Sequence, residues 1–557
     1  VADRPATRRT GHGDRWARGV CGHPVLISAL LTALGAVVWV TVFPRVGTDL
    51  SAAMARAGWA SRYPGAAYLF SWYGGFHPAG YSLLAPYLLA LTGVRPAMAA
   101  AAVISAVLLS SLLVRHQVPR PRAAAAWAAI ALWTELSAGR SPFTLGLASG
   151  LGCVAAADLS RPRSPGRLAA LPVACRRGAR RRPLPSSLVP RSSVQVTPRP
   201  VGPLTAAAAL ALLTCLLSPV AALFLCVVAA AFAVARRWAE AVAVAVPAIL
   251  PLGAMAAFSD GGTQPFLMQN WLPPLIAAAG VVLLVPRRWT MVRAGAVVYG
   301  LGVLLTLAVP SLIGSNVARL GELLIGPLLV GMGSARHRGL LAPALVAAAV
   351  WQVAQPAADL AQGNAPPFAP QTAALVRELG ALRADTARVE AVPQYGHWEC
   401  QELAGAAPLA RGWERQLDIE RNPLFYDGDL TPATYHGWLR YNAVRYVALS
   451  TATPDPAAAG EAALIRAAQQ WLIPVWHNAF WQLYQVTGTR PLASPPAMVT
   501  GTTPAQITLR MTRAGTTVVR VHWSPLLRAD GAVVARDGPW TSLTAPRPGR
   551  YVLTAPY

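Results

Sequence analysis

The stretch "FPRVGTDLSAAMARAGWASRYPGAAYLFSWYGGFHPAGY", Phe43 to Tyr81, starts where a long apolar run ends and places a carboxylate, Asp49, almost at once. The residues behind Asp49 are rich in Trp, Tyr and Gly. The run before it, Pro24 to Phe43, has about the twenty apolar residues that a bilayer span requires. It follows a basic start (Arg4, Arg8, Arg9, Arg15, Arg18) and has no small-residue cleavage site near its end, so it reads as a retained helix and not as a signal peptide. The side of the membrane on which Asp49 emerges decides how the rest of the chain is arranged.

Composition supports this start. Of 557 residues, 54% are hydrophobic and 13% charged, the balance of a lipid-embedded chain. Further nearly uncharged runs occupy Pro96 to Val114, Leu204 to Ala235 and Ala241 to Ala257. A net charge of +25 would suit nucleic acid, but its distribution argues against that partner. Up to Ala354, 31 Arg stand against eight carboxylates, whereas from Gln355 onward 17 Arg stand against 15. The excess lies in short loops between apolar runs, where the positive-inside bias places it. Lys is absent, a codon bias of a GC-rich genome such as an actinobacterium's. The six Cys form neither a disulfide framework nor a metal-type spacing, so no cofactor and no metal site is expected.

The Arg clusters serve as a ruler for topology. "RHQVPRPR" (Arg115 to Arg122), Arg236-Arg237, Arg287-Arg288 and Arg336 to Arg338 should all be cytoplasmic, as should the basic N-terminus over residues 1–23. Residues 160–203, rich in Arg and Pro without any acid, read as a disordered cytoplasmic loop. External tips then fall near Arg140, Ser218-Pro219, Asp260 and Asn316. The short, Pro-bearing run Pro78 to Gly93 breaks the alternation and reads as a partial or re-entrant element. The expectation is an all-α polytopic membrane domain over 24–354, with about 11–13 transmembrane helices and a first external loop at 44–77. After it comes an extracytoplasmic soluble domain, 355–557, of α+β or β-rich class, read from runs such as "VRYVAL", "TTVVRVHW" and "RYVLTA".

"GTDL", then amphipathic "SAAMARAGWASRY", then "SWYGGFHPAGYSLLAPYLLALTGVRP" resembles the first external loop and second hydrophobic run of GT-C membrane glycosyltransferases. That superfamily includes the protein O-mannosyltransferases, the aminoarabinose transferases and the actinobacterial arabinosyl- and mannosyltransferases. "LLSPVAALFL" at Leu216 to Leu225 looks like its short mid-protein hairpin. The polar-loop, helix and V-R-Y-V strand pattern of the tail is also similar to large actinobacterial membrane proteins whose family label gives no reaction. The GT-C resemblance implies a polyprenyl-phosphate-linked sugar donor, transfer on the outer face of the plasma membrane, and an acid at the position of Asp49 acting as base or metal ligand. This chain departs from the pattern: no second acid stands beside Asp49, which leaves a metal-independent enzyme or a non-catalytic relative.

The same assignment follows from chemistry. Glycosyl transfer needs a base near an incoming hydroxyl and cations near a departing phosphate. Asp49 can supply the first, and Arg140 or Arg319 the second, because a guanidinium grips phosphate bidentately. Asp49 could also merely cap the helix that follows. His77 could orient phosphate or sugar, or plug the interface. Trp72 and Tyr73, with Phe76, could stack on a sugar or form an aromatic belt. Arg319 and Glu322, with Asn316 before them, are ionisable residues near the outer end of an apolar helix, either a site or a self-satisfied i, i+3 pair. In the tail, His397, Arg411 and Trp413 belong to a segment suited to polyol binding, or to an ion-paired surface. The reading is a multi-pass envelope glycosyltransferase acting on a glycan or lipid acceptor. The rivals are a transporter or flippase, for which no internal repeat is found, and a non-catalytic envelope assembly protein.

Overall fold

The computed structural model describes residues 23–43, 46–161, 201–257, 260–363 and 369–557. The basic N-terminus and nearly all of the Arg- and Pro-rich loop therefore lie outside the described residues.

Helices make up the first part of the chain. They are α1 (Pro24–Val42), α2 (Leu50–Arg62), α3 (Ala85–Thr92), α4 (Val94–Arg115), α5 (Pro121–Ser137), α6 (Ser141–Leu159), α7 (Val201–Leu217), α8 (Pro219–Val234), α9 (Trp238–Ala257), α10 (Met268–Leu284), α11 (Thr290–Ala308), α12 (Ala318–Met332) and α13 (Arg338–Gly363). Proline marks several starts, where its missing N–H costs nothing: Pro24, Pro121, Pro142 and Pro219 all occupy the first two positions of a helix. At α8 the Ser218 hydroxyl adds a cap, accepting from the Ala221 N–H. Among the described residues five helices, α1, α4, α6, α11 and α13, are long and apolar enough to cross a membrane, and α7 to α10 are shorter apolar helices. This is the helical layer of a membrane protein.

The suspect run behaves as a partial element. Its helix, α3, has eight residues, about 12 Å at helical rise and too short to span. Leu84 N–H and the Ser82 hydroxyl bond the carbonyls of Leu216 and Leu217, tying the start of α3 to the end of α7.

The turns between helices sort to two ends. At one, Arg120 donates to the Gly333 carbonyl, Ser334 N–H to Leu284, and Arg293 to Val285. Asp158 there receives Arg115, His116 and Arg237, and Glu240 receives Arg161 and Arg237. The Arg clusters of the sequence thus gather together. The tips at Arg140, Ser218, Asp260 and Asn316 gather at the other end, against the C-terminal region.

That region begins with α14 (Ala369–Ala381) and a four-stranded mixed sheet, ordered β1 (Arg388–Ala391), β2 (Val444–Ser450), β4 (Trp481–Val486), β3 (Leu472–His477), with β1 and β2 parallel. Between these strands run α15 (Glu399–Glu402), α16 (Arg415–Arg421), α17 (Pro432–Tyr441) and α18 (Ala459–Arg466). Two antiparallel sheets follow. One is β5 (Ala497–Thr503), β6 (Gln506–Met511), β11 (Gly549–Thr554) and β8 (Arg528–Ala529); the other is β7 (Gly515–His522), β10 (Trp540–Ala545) and β9 (Val533–Asp537). Alternation along β6 and β7 points Ile507, Leu509, Val519 and Val521 into one shared core, the pattern of a sandwich.

The first loop interlocks the two parts. Tyr68 and Phe70 enter the sandwich core, while Trp59, Leu69, Trp72 and Phe76 enter the core under the mixed sheet. Trp72 is 0% exposed, stacks on Phe76 at 5.4 Å and donates its indole N–H to the Cys400 carbonyl. Gly412 lies against this indole so closely that a Cβ would come within 2.3 Å of the ring. Gly412→Ala should therefore overpack the seam by about 1–3 kcal/mol, read as a lowered thermal midpoint in detergent with helical content retained.

Candidate functional site

A chamber of about 140 Å3 lies where the helix tips meet the C-terminal region. Phe143 of α6, Ser218, Val220 and Leu223 around the start of α8, Asp260 before α10, and Asn316 and Arg319 at α12 wall one side. His77 comes from the end of the first loop and Tyr81 from the run just after it, Glu414 and Gln416 from the edge of α16. Three distant parts of the sequence converge here.

Arg319 is the central cation. Its guanidinium stands 3.9 Å from the Asp49 carboxylate and 5.3 Å over the Phe143 ring, and it makes no hydrogen bond to a described residue. Glu322 pairs not with Arg319 but with Arg140, whose guanidinium also donates to Glu135, at 3.3 and 3.1 Å respectively. The i, i+3 pair drawn from the sequence is therefore replaced by a tertiary trio just behind the chamber.

Asp49 stands at the N-cap of α2, yet its carboxylate makes no capping hydrogen bond. It accepts instead from the Trp413 indole N–H at 3.1 Å and faces Arg319, with its side chain 25% exposed. It does not line the chamber. Trp413 stacks on His397, centroids 3.4 Å apart and planes 11° off parallel. His397 in turn sits 3.3 Å from Asp455 and 3.6 Å from Glu399, and Asp455 receives Arg415 at 2.6 Å. Asp49 is thereby wired into the interior of the C-terminal region.

His77 has two ring partners, the Asp260 carboxylate at Nδ1 (2.8 Å) and the Ser524 hydroxyl at Nε2 (2.9 Å). Asp260 also accepts from the His77 backbone N–H and from Arg421. The order Ser–His–Asp is that of a nucleophilic triad. Ser524, however, is 1% exposed, accepts the Leu526 N–H, and is absent from the chamber wall, so the three groups act as a staple between first loop, helix tip and sandwich.

Glu414 is held by Arg56 at 2.6 Å and by the Gln416 amide at 3.0 Å. Burial pushes its carboxyl above the usual carboxylate range, against the pull of Arg56. Arg56 also lies 4.0 Å over the Tyr81 ring, and burial pushes the Tyr81 phenol up to about 12.

Of the residues singled out in the sequence, His77, Asn316 and Arg319 line the chamber, and Asp49, Trp413, Arg140 and Glu322 lie immediately around it. Trp72 and Tyr73 are buried in the seam core, where no sugar reaches them. Arg411 is buried between Glu390 and Glu461, which accept from it, beneath the Phe425 ring. His397 is a buried partner of Trp413. Among the described residues no group of three or more His, Cys, Asp and Glu is placed to hold a metal. The sequence gives no separate signal for Gln416, Tyr81 and Ser524, and it shows Glu414 only as one member of the charged tail segment. Asp260 was visible as a lone acid at a helix tip, whereas Glu414 sits in a charged segment that offers no such contrast.

Deeper among the helices lies a second cavity, an apolar groove of about 270 Å3. Val227 and Ala231 continue down α8 the stripe begun by Val220 and Leu223, and Leu324 and Leu328 continue down α12 below Arg319. The groove ends at His116, Asp158 and Arg237, at the Arg-rich end. Leu320, packed with Phe143 and Val220, separates it from the chamber.

Fold and cavities together define a membrane protein with a charged chamber at the junction of its helical and β-rich parts. No protein-family model matches the chain, and no curated protein matches it either.

The His397–Asp455 pair makes stability depend on pH. The carboxylates of Asp455 and Glu399 beside it raise His397 above its ordinary value against the opposing effect of burial, and the partners His397 and Arg415 hold Asp455 far below its own despite burial. The Asp455 contribution is present above the ordinary Asp value, near 3.9, and the His397 contribution below the ordinary His value, near 6.5. The pair is therefore fully stabilising between those limits, and its His397 share is lost as pH rises through the raised folded value. Thermal midpoints measured from pH 5.5 to 8.5 should decline in the wild type, and His397→Gln should remove that decline.

Proposed function

We propose that this protein is a membrane glycosyltransferase that moves a sugar from a polyprenyl-phosphate donor to a hydroxyl of an envelope glycan or lipid. The observation that carries the reading is Arg319: a half-buried guanidinium that makes no hydrogen bond to a described residue, on the wall of the chamber, directly above an apolar groove. A lipid-linked phosphate has that same division, an anion joined to a hydrocarbon chain. The guanidinium would hold the departing phosphate bidentately, and the groove would take the proximal part of the chain by hydrophobic burial. Asn316, Gln416 and Ser218 offer the neutral polar groups that orient a sugar.

In this reading Asp49 and Phe143 hold Arg319 in place, and Asp49 reports through Trp413 on the docking of the C-terminal region. The GT-C resemblance of the first loop is consistent with it. So is an arrangement of eleven crossings, α1 and α4 to α13, with α2 and α3 at the outer surface. The Arg-rich turns are then cytoplasmic by the positive-inside bias, and the chamber and the C-terminal region face outward from the plasma membrane.

The test is purified protein in lipid nanodiscs, supplied with polyprenyl-phosphate sugars, with release of polyprenyl phosphate as the readout. Arg319→Ala should reduce turnover by about 100-fold or more, the scale of losing one preorganised charge partner, and Arg319→Lys should restore it only partly, because an ammonium cannot form the bidentate pair. Movement of intact donor across vesicle bilayers, with no sugar released, would replace the enzyme by a lipid transporter.

A further inference from the structure

The sequence shows one acid in the first loop and no partner for it, whereas the chamber holds two carboxylates on its wall, Asp260 and Glu414. Asp260 is spent: the His77 backbone N–H, the His77 ring and Arg421 all bond it. Asp49 is off the wall. Glu414 differs from both.

We infer that Glu414, contributed by the C-terminal region, is the group that accepts the proton of the incoming hydroxyl, an assignment that rests on the glycosyl-transfer reading above. Glu414 shares the chamber wall with Arg319, so proton acceptor and phosphate partner face the same space. Its Oε2 is fixed by Arg56, and its Oε1 is aimed by the neutral amide of Gln416, which leaves that oxygen lone-pair capacity for a further donor. The side chain is 14% exposed, enough to be reached from the chamber and little enough to be desolvated. Burial makes its carboxylate more basic than an ordinary Glu. The charged groups that face it are Arg56 on α2, Asp260 before α10 and Arg421 on α16.

The step balances without any further reactant. The acceptor oxygen forms a bond to the anomeric carbon while its proton passes to Glu414 Oε1. The bond from that carbon to the phosphate oxygen breaks, and its electron pair leaves with the phosphate, held by Arg319. Glu414 then returns the proton to water. One consequence is architectural: the base arrives only when the C-terminal region is docked, so the helical layer alone lacks half of the chemistry.

The experiment is donor turnover by full-length protein in nanodiscs between pH 5 and 9, for wild type, Glu414→Gln, Glu414→Asp and Asp49→Asn. Wild-type kcat should rise with pH to a plateau, with a midpoint above the usual carboxylate range. Glu414→Gln should lower kcat by about 100-fold or more, leave the donor KM within about threefold and flatten the profile. Glu414→Asp should keep part of the activity with a displaced midpoint, a result that also shows the seam still assembles. A merely structural role for the Arg56 pair would instead raise KM and lower the thermal midpoint while leaving the pH profile in place. If Glu414→Gln turns over normally and Asp49→Asn flattens the profile, Asp49 is the base and this assignment is wrong, although the reaction class stands. If wild type releases no polyprenyl phosphate at any pH, the glycosyl-transfer reading fails and this assignment fails with it.

Discussion

The arrangement depends on one wedge of aromatic rings. Trp59, Trp72 and Phe76 fill the space between α2 and the mixed sheet, and two residues away Tyr68 and Phe70 complete the core of the sandwich. A short loop thus contributes to two cores that it does not itself belong to. Burying large rings at such a junction is worth far more than the polar contacts around it, and those contacts then follow in register. Arg56 reaches Glu414, Trp413 reaches Asp49, and Arg421 reaches the carbonyls of Tyr73 and Gly75.

That wedge explains why the chamber exists at all. Helix tips are irregular and polar because the turns must satisfy free backbone groups. Laying a second folded region over them closes off those tips from bulk water without filling the space between. Charges caught there are desolvated, and they persist only where a partner is fixed in place: Arg140 by two glutamates, Asp260 by His77 and Arg421, Glu414 by Arg56. Arg319 is the exception. Its sole ionic contact among the described residues, at 3.9 Å from Asp49, is too long for a hydrogen bond, which sets it apart from the fully paired cations around it.

Local signals carried the helical part well. Long uncharged runs, Arg at their ends and Pro at their starts each report a property of a few neighbouring residues, and the short run at Pro78 was legible as incomplete for the same reason. The candidate site was legible only in part. His77, Asn316 and Arg319 could be found because a polar group next to an apolar run is conspicuous. Trp72 and Tyr73 invited a sugar-stacking role that the seam core instead absorbs, since a ring on a loop looks the same in sequence whether it faces solvent or another domain. Glu414 could not be singled out, lying as it does among Glu399, Glu402, Glu420 and other acids of one charged segment.

By itself, then, the sequence determined that the chain is a membrane protein, that its Arg clusters mark one end of the helical layer, and that a distinct strand-bearing region follows. Hydropathy, charge placement and alternation are one-dimensional properties, and they survive without any knowledge of packing. Only the tertiary structure decided which charges meet: that Asp49 turns to Trp413 instead of capping α2, that Arg319 and Glu322 part company, and that Glu414 crosses some 360 residues of chain to Arg56. Such pairings are set by the shape of the seam, and the shape of the seam is set by rings that burial, not sequence neighbourhood, brings together.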